Sequence, residues 1–374
     1  MKTTHLIISV LIAALVTGGL LGQHWLATAG AAESQGSRPS PVFEIDPAWP
    51  QVPAKWKLGG ISSMAVDDKD NVWVLTRPRT VPAEQSAMAA PPVIVFDAAG
   101  KFLQAWGGEG SGYDWPEREH GIHIDHKGYV WIGGNHCAED IRDNERGIKP
   151  LGDDAVLKFT QAGKLVMQIG KSNQSAGNAD TRNLRQPADA FVYPKTNELF
   201  VADGYGNHRV AVFDADTGVF KRMWGAFANK PVDNTPCPPS YPASVTDGDG
   251  PEQFSTPHAI RVSNDGLVYV ADREYRRVQV FTFDGKFVKQ LRLTRERFAL
   301  NLALSADPEQ QFLYVGSASG IVIVDRKTLE VVSNFHTPGI LTSHHITTDS
   351  RGNLYIASPA GGMQKLAFKG LAHR

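Results

Sequence analysis

The fold of this chain is decided by residues 256–288, which read TPHAIRVSNDGLVYVADREYRRVQVFTFDGKFV. Short apolar runs at 258–262, 267–271 and 278–283 are separated by turn residues, and a fourth run begins after the Asp-Gly turn. Runs of this length between such turns are typical of β-hairpins. The stretch therefore predicts a four-stranded meander. Because one small sheet cannot bury both of its faces, it needs neighbours of the same kind.

The rest of the chain supplies these neighbours. Similar units occupy residues 61–108, 120–170, 186–224, 299–335 and 344–368, and the last unit has only three strands. Residues 42–46 (VFEID) can provide its missing outer strand, which closes the ring and removes the exposed sheet edges. We therefore predict an all-β, six-bladed β-propeller of the NHL type over residues 42–370, with residues 371–374 as a tail.

Composition and charge limit the partners that we expect. The chain has 374 residues, of which 42% are hydrophobic and 21% are charged, so it can bury a large core. Its formal net charge of −1 gives no electrostatic reason to expect a nucleic-acid partner. We expect a monomer that acts on a small-molecule or peptide-derived substrate.

The N-terminal residues 1–32 predict export. Lys2 precedes an apolar run at 6–21, and small residues at 29–32 offer a cleavage site. An uncleaved membrane anchor is the alternative, because the run is only slightly short of a membrane span. Either way the body lies in the periplasm or is secreted, joined through a polar linker at 33–41. There Cys137 and Cys237 either form a disulfide or remain two unrelated thiols.

Three histidines occupy the same register in alternate units. His120, His258 and His344 each lie eight residues before the glycine of the first turn, in units two, four and six. The first strand of a propeller blade lines the central channel, so the three imidazoles should converge on the axis. Three imidazoles with one open position suit a catalytic metal. The alternative is that each is a polar channel residue in contact with water. The matching positions in units one and three are Ser62 and Ala188, and unit five offers a residue near Leu300.

A second alignable position lies at the end of the second strand. Units one, three and four have Arg77, Tyr205 and Arg273 there, at the same mouth of the channel as the histidines. A tyrosine near a metal and guanidinium groups can act as a base, because positive charge stabilises its deprotonated form, and arginine suits a substrate carboxylate. The alternative is an ordinary strand-end aromatic with two solvated arginines.

The remaining histidines are weaker candidates. His123 is an odd number of residues from His120, so strand alternation predicts that it points to the opposite face and has a structural role. His136, His208 and His345 should lie near the channel, where they could support the site or contact substrate, but a solvated or structural role is the expected one.

The residues assembled so far resemble a known family. The stretches HGIHIDHKGYVWI, QPADAFVYPKTNELFVADGYGNHRVAVF and PHAI followed by YVADREYRRVQVF are similar to NHL-type blades, and more closely to the peptidyl-α-hydroxyglycine α-amidating lyases, over residues 61–368. The resemblance implies that His120, His258 and His344 bind zinc. It also implies that Tyr205 is the catalytic tyrosine and that Arg77 and Arg273 are active-site arginines.

The same resemblance implies a structural calcium in the channel, bound by main-chain carbonyls at Met64 and Ile122 together with an aspartate. The aspartate position is His345 here, and a family methionine near the third ligand is matched by Thr342. We expect an exported zinc-dependent lyase that cleaves the C–N bond of a carbinolamide, giving an amide and glyoxylate or a related aldehyde. The sequence has no stretch that resembles the copper monooxygenase half, which makes the hydroxyglycine substrate in amidating systems.

Two other functions are compatible with the pattern. One is a metal-dependent lactonase or other hydrolase on the same propeller, although such sites usually bind calcium through carboxylate and Asn ligands. The other is a non-catalytic NHL-repeat scaffold that binds protein or glycan through the insertions at 78–92 and 230–250. The scaffold hypothesis predicts no metal.

Overall fold

A computed structural model describes residues 38–139, 146–233, 251–294 and 297–373. Within these residues, 24 strands form six four-stranded antiparallel sheets, and a single compact unit begins at Pro39. The prediction of an all-β, six-bladed β-propeller is confirmed. Residues 1–32 lie outside the described residues, as do most of 230–250 and Cys237. None of the described helices is long and apolar enough to span a membrane.

The first strand of the chain, β1, covers Ser40–Asp46 and belongs to the last blade. Blade one follows, with the strands β2 (Gly60–Val66), β3 (Val72–Arg77), β4 (Val93–Phe96) and β5 (Phe102–Trp106). Its insertion forms two short 3-10 helices, Pro78–Thr80 and Ala83–Met88. Blade two contains β6 (Glu119–Ile124), β7 (Val130–Gly134), β8 (Ala155–Phe159) and β9 (Leu165–Gly170).

Blades three and four have the same four-strand order from the channel outwards. Blade three contains β10 (Asp189–Tyr193), β11 (Glu198–Asp203), β12 (Arg209–Asp214) and β13 (Phe220–Trp224), followed by a short 3-10 segment, Ala226–Ala228. Blade four contains β14 (Pro257–Val262), β15 (Val268–Asp272), β16 (Arg277–Phe281) and β17 (Phe287–Arg292).

Blade five contains β18 (Asn301–Leu304), β19 (Phe312–Ser317), β20 (Gly320–Asp325) and β21 (Val331–Phe335). Blade six contains β22 (His345–Thr348), β23 (Leu354–Ser358) and β24 (Gly362–Ala372), and β1 pairs antiparallel with β24 as its outermost strand. The expected closure of the ring by the N-terminal strand is thus confirmed. The strand bounds extend two residues beyond the expected propeller at each end, into the stretches assigned to the linker and the tail.

The hydrophobic core lies between neighbouring blades. Tyr269 and Val280 of blade four pack with Leu313 and Val322 of blade five in one cluster of buried side chains. Inner and middle strands are buried on both faces, whereas outer strands alternate and expose residues such as Leu103. Each blade therefore buries its faces only when its neighbours are present, as expected of a repeat architecture.

The inner strands of blades one, two and four begin with a β-bulge. Ser62, His120 and His258 each occupy a position where the pairing with the second strand skips one residue. A bulge adds one residue and re-aims the side chains around it. This overturns the expectation for His123. Its Nε2 accepts the amide of Val192 at 3.1 Å, and its side chain lines a channel cavity, because the bulge resets the alternation.

Candidate metal centre

The structure brings His120, His258 and His344 together at one end of the channel. Their ring centroids are 4.9 to 5.1 Å apart, and the rings are steeply inclined to one another, at 69° to 89°. One ligand nitrogen from each ring lies within 4.8 Å of the other two. The three blades that supply them alternate around the ring, so the arrangement has approximate threefold symmetry.

Each imidazole is held by the blade that follows it. The Nδ1 atoms of the three histidines lie 2.5 to 2.9 Å from carbonyl oxygens, those of Ala188, Leu300 and Ser62 respectively. These are the residues that the sequence register placed opposite the histidines. A carbonyl only accepts hydrogen bonds, so each Nδ1 carries the proton and each Nε2 is left with a lone pair. Partners of this kind orient the imidazole ligands of metal sites.

The electrostatics keep the three rings neutral. Burial, the neighbouring histidines and the guanidinium groups lower the pKa of His120 and His258 well below the ordinary value. Burial and Arg77 lower the pKa of His344 to about 3. Neutral imidazoles are the form that binds metal.

Tyr205 lies directly over this cluster. Its hydroxyl oxygen is 2.9 Å from Nε2 of both His120 and His258. The residue follows β11 in a left-handed backbone conformation with φ of 65°, which is uncommon for a bulky side chain and typical of functional sites. The flanking Gly204 permits this turn, because a Cβ there would lie 2.2 Å from the carbonyl oxygen of Pro257.

The two arginines flank the tyrosine and the histidines. Arg273 donates from Nη1 to the Tyr205 oxygen at 2.8 Å, and its guanidinium also pairs with the buried Glu274. Arg77 donates from Nε to the carbonyl of Glu119 at 2.8 Å, and its Nη2 lies 3.4 Å from Asn135 Oδ1. Comparison of the repeat units did not identify Glu274. Its position directly after Arg273 in the sequence is the signal that points to it.

The donor set fits a metal ion. The Tyr205 hydroxyl has one proton for the two Nε2 lone pairs that it contacts, so one of these contacts joins two acceptors. A cation bound by the three Nε2 atoms removes this conflict. Three neutral imidazoles with an open side are also the ligand set of catalytic zinc sites. The histidines therefore could hold one metal ion; its identity, and the catalytic roles of Tyr205, Arg77 and Arg273, remain predictions.

The expected calcium position has a different chemistry. Met64 donates its amide to His345 Nδ1 at 3.4 Å, and the amide of Ile122 donates to Ser63 Oγ at 3.1 Å. His345 lies 3.4 Å from a guanidinium nitrogen of Arg261. Calcium requires six to eight oxygen ligands, and an imidazole and a guanidinium group are unsuitable neighbours for it. His345 offers nitrogen instead of oxygen at the aspartate position, so this position does not fit calcium, whereas the carbonyl ligands expected at Met64 and Ile122 stay a prediction.

The other histidines lie around the centre without joining it. His136 lines a cavity together with Arg185 and Gln186, and Nδ1 of His208 is 2.8 Å from the carbonyl of Ser255. His345 caps the amide of Met64 as described above.

Comparisons with known proteins agree with this architecture. The NHL repeat family profile matches residues 254–281. The chain is 29% identical over 280 residues to peptidyl-glycine alpha-amidating monooxygenase A of Xenopus laevis, a match that covers 70% of this chain and 26% of that protein. The chain is a six-bladed β-propeller that is similar to the amidating enzymes. It spans about a quarter of the length of the amidating monooxygenase that it matches.

Two further relatives are similar to shorter parts of this chain. A probable peptidyl-alpha-hydroxyglycine alpha-amidating lyase of Caenorhabditis elegans is 29% identical over 166 residues, which is 44% of this chain and 36% of that protein. NHL repeat-containing protein 3 of Mus musculus is 27% identical over 247 residues, 65% of this chain and 58% of that protein.

A solved structure shows the same fold. Streptogramin B lyase superposes with a TM-score of 0.54 at 12% identity, covering 90% of this chain and 100% of that one. At this identity the likeness concerns the propeller fold alone.

Proposed function

We propose that this protein is a zinc-dependent lyase that cleaves the C–N bond of a carbinolamide, releasing an amide and glyoxylate or a related aldehyde. The observation that carries the proposal is the contact of the Tyr205 oxygen with two of the three clustered imidazoles. The similarity to a probable α-hydroxyglycine amidating lyase supports it.

The histidines would hold the metal through their Nε2 atoms, on the side that faces Tyr205. When bound, the metal would act as a Lewis acid that polarises the substrate hydroxyl. The protein's own part is to keep the three imidazoles neutral and fixed, which the carbonyl contacts of their Nδ1 atoms achieve.

Tyr205 is proposed as the base. In its ionised form, the Tyr205 oxygen would take the proton of the substrate hydroxyl, the C–O bond would become a carbonyl, and the C–N bond would break with its electron pair moving to nitrogen. The proton then returns from Tyr205 to that nitrogen, so the products are an amide and an aldehyde and no other reactant is consumed. Arg273, which donates to the Tyr205 oxygen, stabilises negative charge there.

Arg77 is proposed to bind the substrate carboxylate. Arg77 donates to the carbonyl of Glu119 and to Asn135 Oδ1. Its charge adds to burial in lowering the pKa of both His344 and His120, so its guanidinium lies close to the cluster. A planar guanidinium pairs well with a carboxylate and would orient the carbon that carries the hydroxyl. Binding at two points, the carboxylate and the hydroxyl, favours α-hydroxyglycine derivatives over simple alcohols.

Export is part of the proposal. Cys137 is a disulfide cysteine in the structure. Disulfides form in oxidising compartments, which supports a periplasmic or secreted protein. The signal expected at residues 1–32 is consistent with this.

The experiment is metal analysis combined with a turnover assay. Purified protein should contain about one zinc per chain and release glyoxylate from a panel of α-hydroxyglycine derivatives. The variant His258→Ala should lose both, whereas His126→Ala, in an exposed turn, should lose neither. Metal without glyoxylate release from any substrate would reject the lyase and favour a hydrolase. Absence of stoichiometric metal in the parent protein would favour the scaffold.

A further inference from the structure

A second charged cluster lies in the channel beyond the three histidines. Arg261 follows His258 by three residues on β14, and its Nη1 donates to the buried carboxylate of Asp189 in blade three. Its Nη2 lies 3.5 Å from Asn301 Oδ1 of blade five and 3.4 Å from His345 Nε2 of blade six. One guanidinium thus contacts three other blades at the axis.

The side chains around Arg261 also join the blades to one another. Asp189 Oδ2 accepts the amide of Ile260 at 3.1 Å, and Asn301 Oδ1 accepts the amide of Ile346 at 3.2 Å. Each of these contacts runs from one blade to the inner strand of the next. The cluster therefore occupies the level of the channel where the inner strands meet.

Asp189 Oδ2 is paired with the Arg261 guanidinium, whereas the buried Asp189 Oδ1 has no hydrogen-bond partner among the described residues. Although burial raises the pKa of Asp189, the Arg261 guanidinium and His345 outweigh this and hold it at about 2. The Asp189 carboxylate is therefore ionised and paired with the guanidinium. Among the described residues, the one group of His, Cys, Asp and Glu side chains that could hold an ion is the three-histidine cluster.

Arg261 also bounds a separate cavity. A space of about 490 Å³ opens at the other mouth of the channel, lined by Arg261, His123 and Phe191 among others. None of the three clustered histidines contributes to its lining. The guanidinium therefore lies between this cavity and the metal centre.

We propose that the Arg261 guanidinium serves as the internal cation of the propeller axis, tying blades three to six together and closing the channel beneath the histidines. The fold is then independent of calcium. This inference does not depend on the reaction proposed above.

The parent protein provides the first test. After purification in the presence of calcium and desalting, it should contain no stoichiometric calcium by elemental analysis. Its thermal unfolding midpoint should be unchanged by addition of calcium or by a calcium-selective chelator such as EGTA, with zinc present throughout. One calcium per chain, or a lowered midpoint in the chelator, would overturn the proposal.

Variants provide the second test. Arg261→Met should lower the unfolding midpoint by about 5 °C or more, because it leaves the Asp189 carboxylate buried without a partner. The double variant Arg261→Met with Asp189→Asn should recover part of this loss. Arg351→Met, an exposed arginine in a turn of blade six, is the matched control and should behave like the parent. An unchanged midpoint in Arg261→Met would contradict the proposal, and if that variant fails to fold, the calcium measurements on the parent still decide.

Discussion

Each of the three clustered histidines has one ring nitrogen occupied by a carbonyl oxygen of the neighbouring blade. This contact fixes both the orientation and the tautomer, so the second nitrogen of each ring faces the axis as an acceptor. Tyr205 completes the group from a left-handed turn between two glycines. At the scale of residues, the imidazole nitrogens of His120 and His258 and the guanidinium of Arg273 surround the Tyr205 oxygen.

Replacement of the phenol oxygen separates catalysis from metal binding. Tyr205→Phe should reduce glyoxylate release by roughly 100-fold or more, since it removes the proposed proton acceptor. Zinc content should stay at the parental value, because the three imidazoles are unchanged. Tyr193→Phe is the control, because the Tyr193 hydroxyl donates to the carbonyl of Asn264. Full activity in Tyr205→Phe would eliminate the tyrosine as the base.

A second residue, His123, should affect the acid stability of the protein. Burial lowers the pKa of His123 from 6.5 to about 4. The unfolded chain then binds a proton near pH 6.5 and the folded chain only near pH 4. The stability that this histidine confers is complete above pH 6.5 and is lost as the pH falls towards 4, by at most about 1.4 kcal/mol per pH unit.

His123→Gln should keep an acceptor for the Val192 amide and remove the titrating group. The free energy of unfolding, measured with denaturant at several pH values, should therefore fall less steeply between pH 6.5 and 4 than in the parent. His336→Gln, at an exposed position after β21, should leave the slope unchanged. Equal slopes in the parent and His123→Gln would show that His123 is not held neutral in the fold.

At the scale of elements, the bulge that begins the inner strand links the fold to the site. It places His120 and His258 against the following blade, and it turns His123 and Arg261, three positions later, into the channel. Gly121 lies directly after the bulge residue His120. A Cβ at Gly121 would lie 2.6 Å from the carbonyl oxygen of Ala188, which is the partner of His120 Nδ1.

Gly121→Ala should therefore weaken metal binding by about 10-fold to 100-fold, because it displaces the carbonyl that orients His120. Competition for zinc with a chromophoric chelator measures this. Gly133→Ala, on the paired strand, is the comparison, since a Cβ there is 3.1 Å from a different carbonyl, that of Pro187. If both variants bind zinc as the parent does, the Ala188 contact has no influence on the metal.

The six blades and the convergence of the histidines could be predicted from the sequence, because turn glycines fix the register of each inner strand. It was insufficient for His123 and Arg261. Both lie three residues after a matched histidine, and simple alternation directs them away from the channel, whereas the bulge directs them into it. A bulge has no sequence signal of its own here. The pairing of Arg261 with Asp189 joins two blades and required the three-dimensional structure.

At the scale of the whole molecule, the ring is held closed by β1. Phe43 packs against Tyr314 and Phe335 of blade five and against Phe368 of its own blade. The first and last strands of the described fold thus share one sheet, and the contact between blades five and six depends on both.

Deletion of β1 tests this closure. A chain that begins at Trp49 should lose most of its soluble monomer in size-exclusion chromatography, because β24 becomes an exposed edge and the pocket around Phe43 is emptied. A chain that begins at Pro39 retains β1 and should remain a folded monomer. A stable, monomeric chain without β1 would mean that the sixth blade does not need its outer strand.

The pairing of β1 with β24 in blade six also affects when the metal centre forms. His344 directly precedes β22, in the one blade whose sheet contains both β1 and β24. β1, which is synthesised well before β24, must therefore wait for it before the sheet that follows His344 is complete. A chain that crosses a membrane unfolded would complete its metal centre only after the whole polypeptide has emerged, so zinc would be acquired in the destination compartment.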